Sequence, residues 1–168
     1  MAKIIRKIKG IYSGQLTYAA NWGDEFEKLT FWDELDFIGL NCYYPLSKGD
    51  NPSKRELTKA FDGVINKIEK VCNKYNKPLV FTEIGFRSVE GPWKNPHAKE
   101  GNRPFNDAHQ KLCYEIVLES IQNKKWCNGI LWWKWPSHLS YRGKRNKGFS
   151  PNSKQTEAVI NKFFKTKK

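Results

Sequence analysis

Four apolar runs separated by segments of helical periodicity most constrain what this chain can fold into. The runs are GQLTYAANW (residues 14–22), LDFIGLNCYYPL (35–46), KPLVFTEIGF (77–86) and NGILWWKW (128–135). Their near-continuous hydrophobicity is typical of parallel strands that are covered on both faces. Because strands and helices alternate without hairpins, the sequence predicts an α/β fold with right-handed crossovers.

Three helices are predicted between and after the last three runs. Ser53 and Glu56 form a capping box at the start of the first helix, and apolar residues then recur at three- and four-residue intervals over 57–75. Asp107 is expected to cap the second helix, and the third is expected over residues 151–165. Only one or two helical turns fit between the first two runs.

The length and the composition predict one soluble domain over residues 1–168. The chain is 39% hydrophobic and 14% aromatic, a globular mixture. No apolar run is long enough to cross a bilayer, and the N-terminal MAKIIRKIKG lacks the apolar core of a secretory signal, so no membrane partner and a cytoplasmic location by default are expected. The four cysteines are far apart and show no metal-ligand spacing, so neither a zinc site nor a disulfide framework is predicted.

The formal net charge of +13 raises the possibility of nucleic-acid binding. The basic residues, however, are scattered over every predicted helix, and they cluster only in YRGKRNKG (141–148) and in the C-terminal KTKK. A solvated basic surface is the favoured interpretation, and no nucleic-acid partner is expected. Steeply salt-dependent affinity for DNA would indicate the opposite.

Polar and aromatic side chains gather where the four runs end. These residues are Asn21, Trp22, Asn41, Tyr43, Tyr44, Glu83, Trp133 and Trp135. A (β/α) barrel builds its active face from groups at the C-terminal ends of its strands, but a full barrel needs eight β/α units and about 250 residues. Four units predict part of such a barrel. No glycine-rich phosphate loop follows any run, which disfavours a nucleotide-binding sheet.

A carboxylate ringed by aromatic side chains suits chemistry on sugars. Glu83 can attack an anomeric carbon or stabilise an oxocarbenium ion, and tryptophan and tyrosine rings stack on a pyranose. Side-chain alternation places Asn41 and Tyr43 on one side of the second strand, so Tyr43 is expected to hydrogen-bond Glu83 and keep it ionised.

Structural interpretations of the same residues remain open. Trp133 and Trp135 alternate with Trp132, so one of the two sets must face the helices. Glu83 could instead pair with an arginine such as Arg87. The three histidines are isolated in sequence and are expected to be surface or hydrogen-bonded structural residues.

The motifs LTYAANW, FWDELDFIGLNCYYPL, PLVFTEIGFRS, GILWWKW and KGFSPNSK, in this order, resemble the C-terminal half of glycoside hydrolase family 113. This family consists of β-mannanase-like TIM barrels of the retaining glycosidase clan. The resemblance runs from about Ile8 to the end of the chain. It implies that the four runs are strands five to eight of the barrel, that Met1 falls in the fourth helix, and that no metal or organic cofactor is required.

The resemblance also implies roles for individual residues. Glu83 matches the nucleophile, Tyr43 matches a tyrosine that holds it, and a tryptophan of LWWKW matches the platform under the reacting sugar. Asn41 is expected to position the sugar. The substrate implied is a β-linked mannose-type polysaccharide or oligosaccharide, with further stacking surfaces at Trp22, Trp133 and Trp135.

The general acid/base of the family ends strand four, which lies before the matching segment. A retaining mechanism needs two carboxyl groups about 5 to 5.5 Å apart. Asp24 and Glu25, just after the first run, are substitute candidates. The open edges of the first and last strands lead us to expect a second half-barrel, as a homodimer or an N-terminal half. The alternative is a non-catalytic sugar-binding or truncated structural fragment.

Overall fold

Alternating strands and helices build one parallel sheet whose strands lie in chain order, β1-β2-β3-β4. The computed structural model of the chain describes residues 1–137 and 145–165. The elements are α1 (Ala2–Lys9), β1 (Ala19–Asn21), α2 (Asp24–Lys28), a 3₁₀ turn (Trp32–Glu34), β2 (Ile38–Cys42), α3 (Lys54–Tyr75), β3 (Leu79–Ile84), α4 (Asp107–Ile121), β4 (Cys127–Trp132) and α5 (Gln155–Lys165). The predicted α/β order is confirmed. Parts of the predicted basic loop and tail, and His138, lie outside the described residues.

Each predicted run contains one strand, but the first strand is much shorter than its run. Only Ala19–Asn21 pairs with β2. Before it, the Leu16 N–H donates to the Asp36 carboxylate at 2.7 Å, and the Leu16 carbonyl accepts from the Asp36 N–H at 2.9 Å. The expectation that the strand starts near residue 14 is therefore wrong, because this local pairing replaces the sheet ladder there.

Helix α3 begins and ends as its sequence predicts. The Ser53 side chain accepts from the Glu56 N–H, and the Glu56 side chain accepts from the Ser53 N–H, which completes the capping box. Asn76 ends the helix in the left-handed conformation, at φ 48°. The apolar positions face the sheet, with Leu57, Phe61, Val64, Ile65, Ile68, Val71 and Cys72 buried.

The starts of the last two helices differ from the predicted ones. Asn106, rather than Asp107, caps α4, because its Oδ1 accepts from the His109 N–H at 3.0 Å. The third predicted helix starts four residues late, at Gln155. Residues 151–154 form a turn in which the Lys154 N–H donates to the Pro151 carbonyl at 3.1 Å.

The main helices cover one face of the sheet, and the opposite, inner face is more open. On the covered side, Trp132 stacks on Tyr114 of α4, with ring centroids 4.6 Å apart. Cys72 and Cys113 are buried in this core as small hydrophobes. On the inner side, Leu131 is 60% exposed. The sequence predicts that both faces of the sheet are covered. Within the described residues, only the face that packs against the helices is covered in this way.

Two further observations apply to the chain as far as it is described. None of the helices found there combines the length and the apolarity that a membrane crossing requires. Over the same residues, no three side chains of His, Cys, Asp or Glu are grouped so as to hold a metal ion.

Gly85 brings the ends of β3 and β4 together. A Cβ at this position would overlap the backbone carbonyl of Trp133, and the Trp133 N–H donates to the Ile84 carbonyl at 2.9 Å. A backbone atom held by a sheet hydrogen bond cannot yield as a flexible side chain can. Close backbone approach therefore requires glycine here.

We expect Gly85→Ala to lower the free energy of unfolding by more than about 3 kcal/mol, since the overlap forces the two strand ends apart. Gly63→Ala is the matched control: it lies within α3, where a Cβ meets nothing within 4 Å. That change should raise the free energy of unfolding by about 0.5–1 kcal/mol. Urea denaturation followed by circular dichroism measures both, and a Gly85→Ala variant as stable as the parent would contradict the packing described.

Candidate active site

Glu83 reaches the inner face of the sheet because β3 carries one extra residue relative to β2. Leu40 pairs with Phe81, but the next pair is Asn41 with Glu83, so Thr82 has no counterpart. Phe81 is buried, whereas Thr82 and Glu83 in succession are half-buried. Strict alternation would place Glu83 on the Phe81 side, against the helices. The bulge re-aims its carboxylate to the opposite side.

Two side-chain hydrogen bonds join β3 to β2 and to Tyr43, the residue that follows β2. The Tyr43 hydroxyl donates to Glu83 Oε2 at 2.9 Å, and Thr82 Oγ1 donates to Asn41 Oδ1 at 2.8 Å. Burial, with the Glu83 hydrogen bond as a second cause, raises the pKa of Tyr43, so the phenol remains a donor. The predicted contact between Tyr43 and Glu83 is confirmed. Asn41 Nδ2 makes no hydrogen bond to another described residue and can donate to a ligand hydroxyl.

Aromatic rings surround Tyr43 on two sides. Trp22 meets it edge-on at 5.6 Å between ring centroids, and Phe149 does so at 6.4 Å. His97 lies against Trp22 at 4.8 Å and is exposed. The expectation of a surface histidine is thus confirmed for His97, and its ring contact with Trp22 was not predicted. His109, in contrast, is a hydrogen-bonded structural residue whose Nδ1 accepts from the Gly91 N–H.

The tryptophans after β4 divide as alternation requires. Trp132 faces the helices, whereas Trp133 and Trp135 are 42% and 41% exposed. The peptide bond between Trp133 and Lys134 is cis. The sequence did not decide which of the tryptophans face the helices, and the structure shows that Trp132 does. The exposed rings of Trp133 and Trp135 are available to stack on a ligand.

Arg87 does not pair with Glu83. Its Nη1 contacts Glu100 at 2.7 Å, its Nε donates to the Ala98 carbonyl at 2.8 Å, and its guanidinium lies 4.2 Å from the centroid of the Phe149 ring. Among the described residues, Tyr43 is the side chain that hydrogen-bonds Glu83.

Asp24 and Glu25 have partners unsuited to a general acid. The ion pair with Lys28, at 2.7 Å, lowers the pKa of Asp24. Hydrogen bonds from the Tyr18 hydroxyl at 2.7 Å and then from Asn21 lower the pKa of Glu25. A general acid needs its pKa raised so that it holds a proton when the substrate is bound. Neither residue suits that role.

A buried polar network supports the site from behind, and sequence reasoning missed it. Gln110 is fully buried, and its Nε2 donates to the carbonyls of Phe86 at 2.8 Å and Phe149 at 3.0 Å. The Thr156 hydroxyl donates to Gln110 Oε1 at 3.2 Å. These bonds tie the loops that follow β3 and β4 to α4, and they hold Phe149 beside Tyr43.

Lys154 completes this network without an ion pair to a described residue. Its Nζ donates to Ser88 Oγ at 2.6 Å and to the Ser150 carbonyl at 2.7 Å, and burial lowers its pKa to about 8. This lysine belongs to the motif KGFSPNSK. The interpretation of the basic residues as a solvated surface predicts that Lys154 is exposed, but it is buried.

Comparison with known proteins yields one family and several similar structures. The sequence model of Glycoside Hydrolase Family 113 matches residues 1–154. A solved GH113 β-1,4-mannanase is 24% identical, with a TM-score of 0.82 over 98% of this chain and 50% of that one. The GH113 β-mannanase of Alicyclobacillus acidocaldarius, solved in complex with ManMIm, is 23% identical, with a TM-score of 0.83 over 98% of this chain and 49% of that one.

More distant similarity extends to a β-glucuronidase of Ruminococcus gnavus. Its structure is 21% identical, with a TM-score of 0.65 over 96% of this chain and 28% of that one. No curated protein sequence matches the chain. The chain therefore spans about half the length of the mannanase structures, and its four strands correspond to half of a TIM barrel.

A double-mutant cycle tests whether Tyr43 holds Glu83. We expect Tyr43→Phe and Glu83→Gln to show a coupling of about 1–2 kcal/mol in the free energy of unfolding, because the bond joins a buried hydroxyl to a charged acceptor. Tyr44 and Glu27 form the control pair, with the same groups at 3.0 Å on the surface. Their coupling should stay below about 0.5 kcal/mol. Equal coupling in the two pairs would contradict a special role for the Tyr43 bond.

Proposed function

Because the chain belongs to glycoside hydrolase family 113, we propose that it carries the nucleophile of a retaining glycosidase acting on β-linked mannose-type polysaccharides. The observation that carries this proposal is the position of Glu83. It is a half-buried carboxylate on the inner, strand-end face, fixed by Tyr43 and separated by the bulge from the helix layer.

In the proposed first step, a Glu83 carboxylate oxygen attacks the anomeric carbon of the sugar. A C1–O bond to Glu83 forms as the glycosidic C1–O bond breaks, and the leaving oxygen keeps the electron pair and takes a proton from a general acid. Tyr43 orients the carboxylate through its hydrogen bond. Water, deprotonated by the same acid/base residue, then releases the sugar and frees Glu83.

Sugar recognition is assigned to the residues around this carboxylate. Asn41 offers its Nδ2 to a hydroxyl group, and Trp133 and Trp135 present exposed rings to the apolar face of the sugar. Trp22 adds a ring on the Tyr43 side of the site. The mechanism uses neither a metal nor an organic cofactor.

Trapping of the glycosyl-enzyme tests the nucleophile. We expect a 2-deoxy-2-fluoro-β-mannosyl derivative with a dinitrophenolate leaving group to add one fluorosugar to Glu83, because such a leaving group needs little acid assistance. The fluorine destabilises the transition state for turnover of the adduct, so it accumulates. Mass spectrometry of the intact chain and of its peptides measures the label and locates it.

Matched variants make the trapping experiment decisive. Glu83→Gln should abolish labelling, whereas Glu25→Gln, which removes an exposed acid near the rim, should leave it intact. A label on another residue, or none at all while mannooligosaccharides still bind, would refute the nucleophile and favour the non-catalytic sugar-binding alternative.

We further propose that a second half-barrel covers the open inner face. β1 and β4 are the edges of the sheet, and Leu131, Trp133 and Trp135 expose apolar surface next to β4. In α1, before the β1 edge in the chain, Ile4 and Ile8 are 55% and 38% exposed. The mannanase structures, twice as long, support a complement of similar size.

We expect the isolated chain to self-associate at micromolar concentrations, since a second copy can pair with the edges left open. Sedimentation equilibrium measures the association constant. Leu131→Lys should weaken it at least about tenfold by placing a charge in the apolar contact. Asn123→Lys, an equal charge change at an exposed position after α4, should leave it unchanged. A chain that stays monomeric throughout would count against a half-barrel partner.

A further inference from the structure

A cleft beside the sugar platform has a lining that the proposed reaction does not use. Its volume is about 630 Å³, and its rim joins the loop after β3 to the loop after β4. Its lining includes Arg87, Glu100, Trp133, Lys147 and Phe149. Since Trp133 belongs both to the platform and to this cleft, a sugar stacked on that ring would lie next to the cleft.

The charge of the cleft is unbalanced. Among the described lining residues, Arg87 and Lys147 face one acid, Glu100. Glu100 pairs with Arg87 and is half exposed, and the positive charges around it contribute to lowering its pKa, after its own backbone hydrogen bond. Lys147 makes no ion pair with a described residue. Within the described part of the cleft, one carboxylate thus faces the charges of both Arg87 and Lys147.

Arg87 is pre-organised to receive a further anion. Phe149 packs against its guanidinium, and Ala98 and Glu100 occupy Nε and Nη1. Within the described part of the chain, Nη2 makes no hydrogen bond, so one donor nitrogen of a fixed, planar cation stays available. The Arg87 side chain is only 16% exposed, so a contact with it is less screened than one at the open surface.

We propose that this cleft binds an anionic substituent of the substrate, and that the sugar seated beside Trp133 carries a carboxylate, as uronic acids do. The inference rests on the proposed function, because it takes a sugar on the Trp133 platform as given. A carboxylate oxygen can accept from Nη2 of Arg87, and Lys147 supplies the second positive charge. A neutral mannose would leave both cations without a ligand.

The Kd values of two β-linked trisaccharides of equal length, one of mannuronate and one of mannose, test the proposal on the full chain. At low ionic strength the mannuronate should bind about tenfold more tightly, and the difference should shrink as salt is added. Titration calorimetry at several salt concentrations provides the measurement. Equal affinities, or tighter binding of the neutral sugar, would overturn the proposal.

Charge variants locate the effect. Lys147→Gln should remove most of the preference for mannuronate, whereas Lys59→Gln, the same change at an exposed position on α3, should preserve it. Glu100→Gln should increase the preference by removing the competing carboxylate. Equal effects of Lys147→Gln and Lys59→Gln would assign the preference to overall charge and overturn the site.

Two further outcomes separate this proposal from the function on which it rests. If Glu83 is labelled by the fluorosugar and the mannose trisaccharide binds without any preference for mannuronate, the cleft proposal alone fails. If neither trisaccharide binds and Glu83 is not labelled, both fail. Inorganic phosphate that competes as strongly as the mannuronate trisaccharide would reveal a simple anion site and refute recognition of a sugar acid.

Discussion

The extra residue in β3 is the constraint on which the candidate site depends. Leu79 and Phe81 point into the helix-covered core, and continued alternation would add a carboxylate to that core at a high desolvation cost. The bulge at Thr82 turns Glu83 to the other side. Gly39 leaves room for this arrangement, because a Cβ there would lie 3.1 Å from Thr82 Cγ2 and 2.6 Å from the Tyr18 carbonyl.

The bulge positions Glu83 only if its neighbours are also held, and the polar network does this from the helix side. The polar residues that are buried in the described part of the chain all take part in it, Ser150 through its backbone carbonyl and the others through their side chains: Ser88, Gln110, Ser150, Lys154 and Thr156. Through Phe149 it supports Tyr43, which bonds Glu83. When every buried polar group in such a network is hydrogen-bonded, the bonds offset the cost of removing these groups from water. The network then fixes one arrangement of the two loops.

The sequence predicted those features that arise from local patterns. The capping box of α3, the order of the elements, and the shared face of Asn41 and Tyr43 follow from spacing along the chain. Features set by distant partners could not be predicted in the same way. The late start of β1 depends on Asp36, and the buried position of Lys154 depends on Ser88, 66 residues away.

The bulge also belongs to the second class, because nothing in TEIG distinguishes a regular strand from one with an inserted residue. Glu83 was nevertheless selected as the candidate residue, because it ends an apolar run and because the motif resemblance points to the same position. Its catalytic role stays a prediction. Sequence alone also could not decide whether Trp132 or its neighbours Trp133 and Trp135 face the helices. The stacking of Trp132 on the Tyr114 ring of α4 decides this in the structure.

A retaining mechanism requires two carboxyl groups in opposite states, one ionised to attack and one protonated to assist the leaving group. Every carboxyl group of the described residues with a shifted pKa is shifted downward, namely Asp24, Glu25, Glu56, Glu69 and Glu100. The hydrogen bonds and positive charges next to these groups favour the ionised form, which is the state of the attacking group and not of the proton donor. The proton donor of the proposed reaction therefore has to be built in apolar or acidic surroundings, which a second half-barrel facing this sheet can supply.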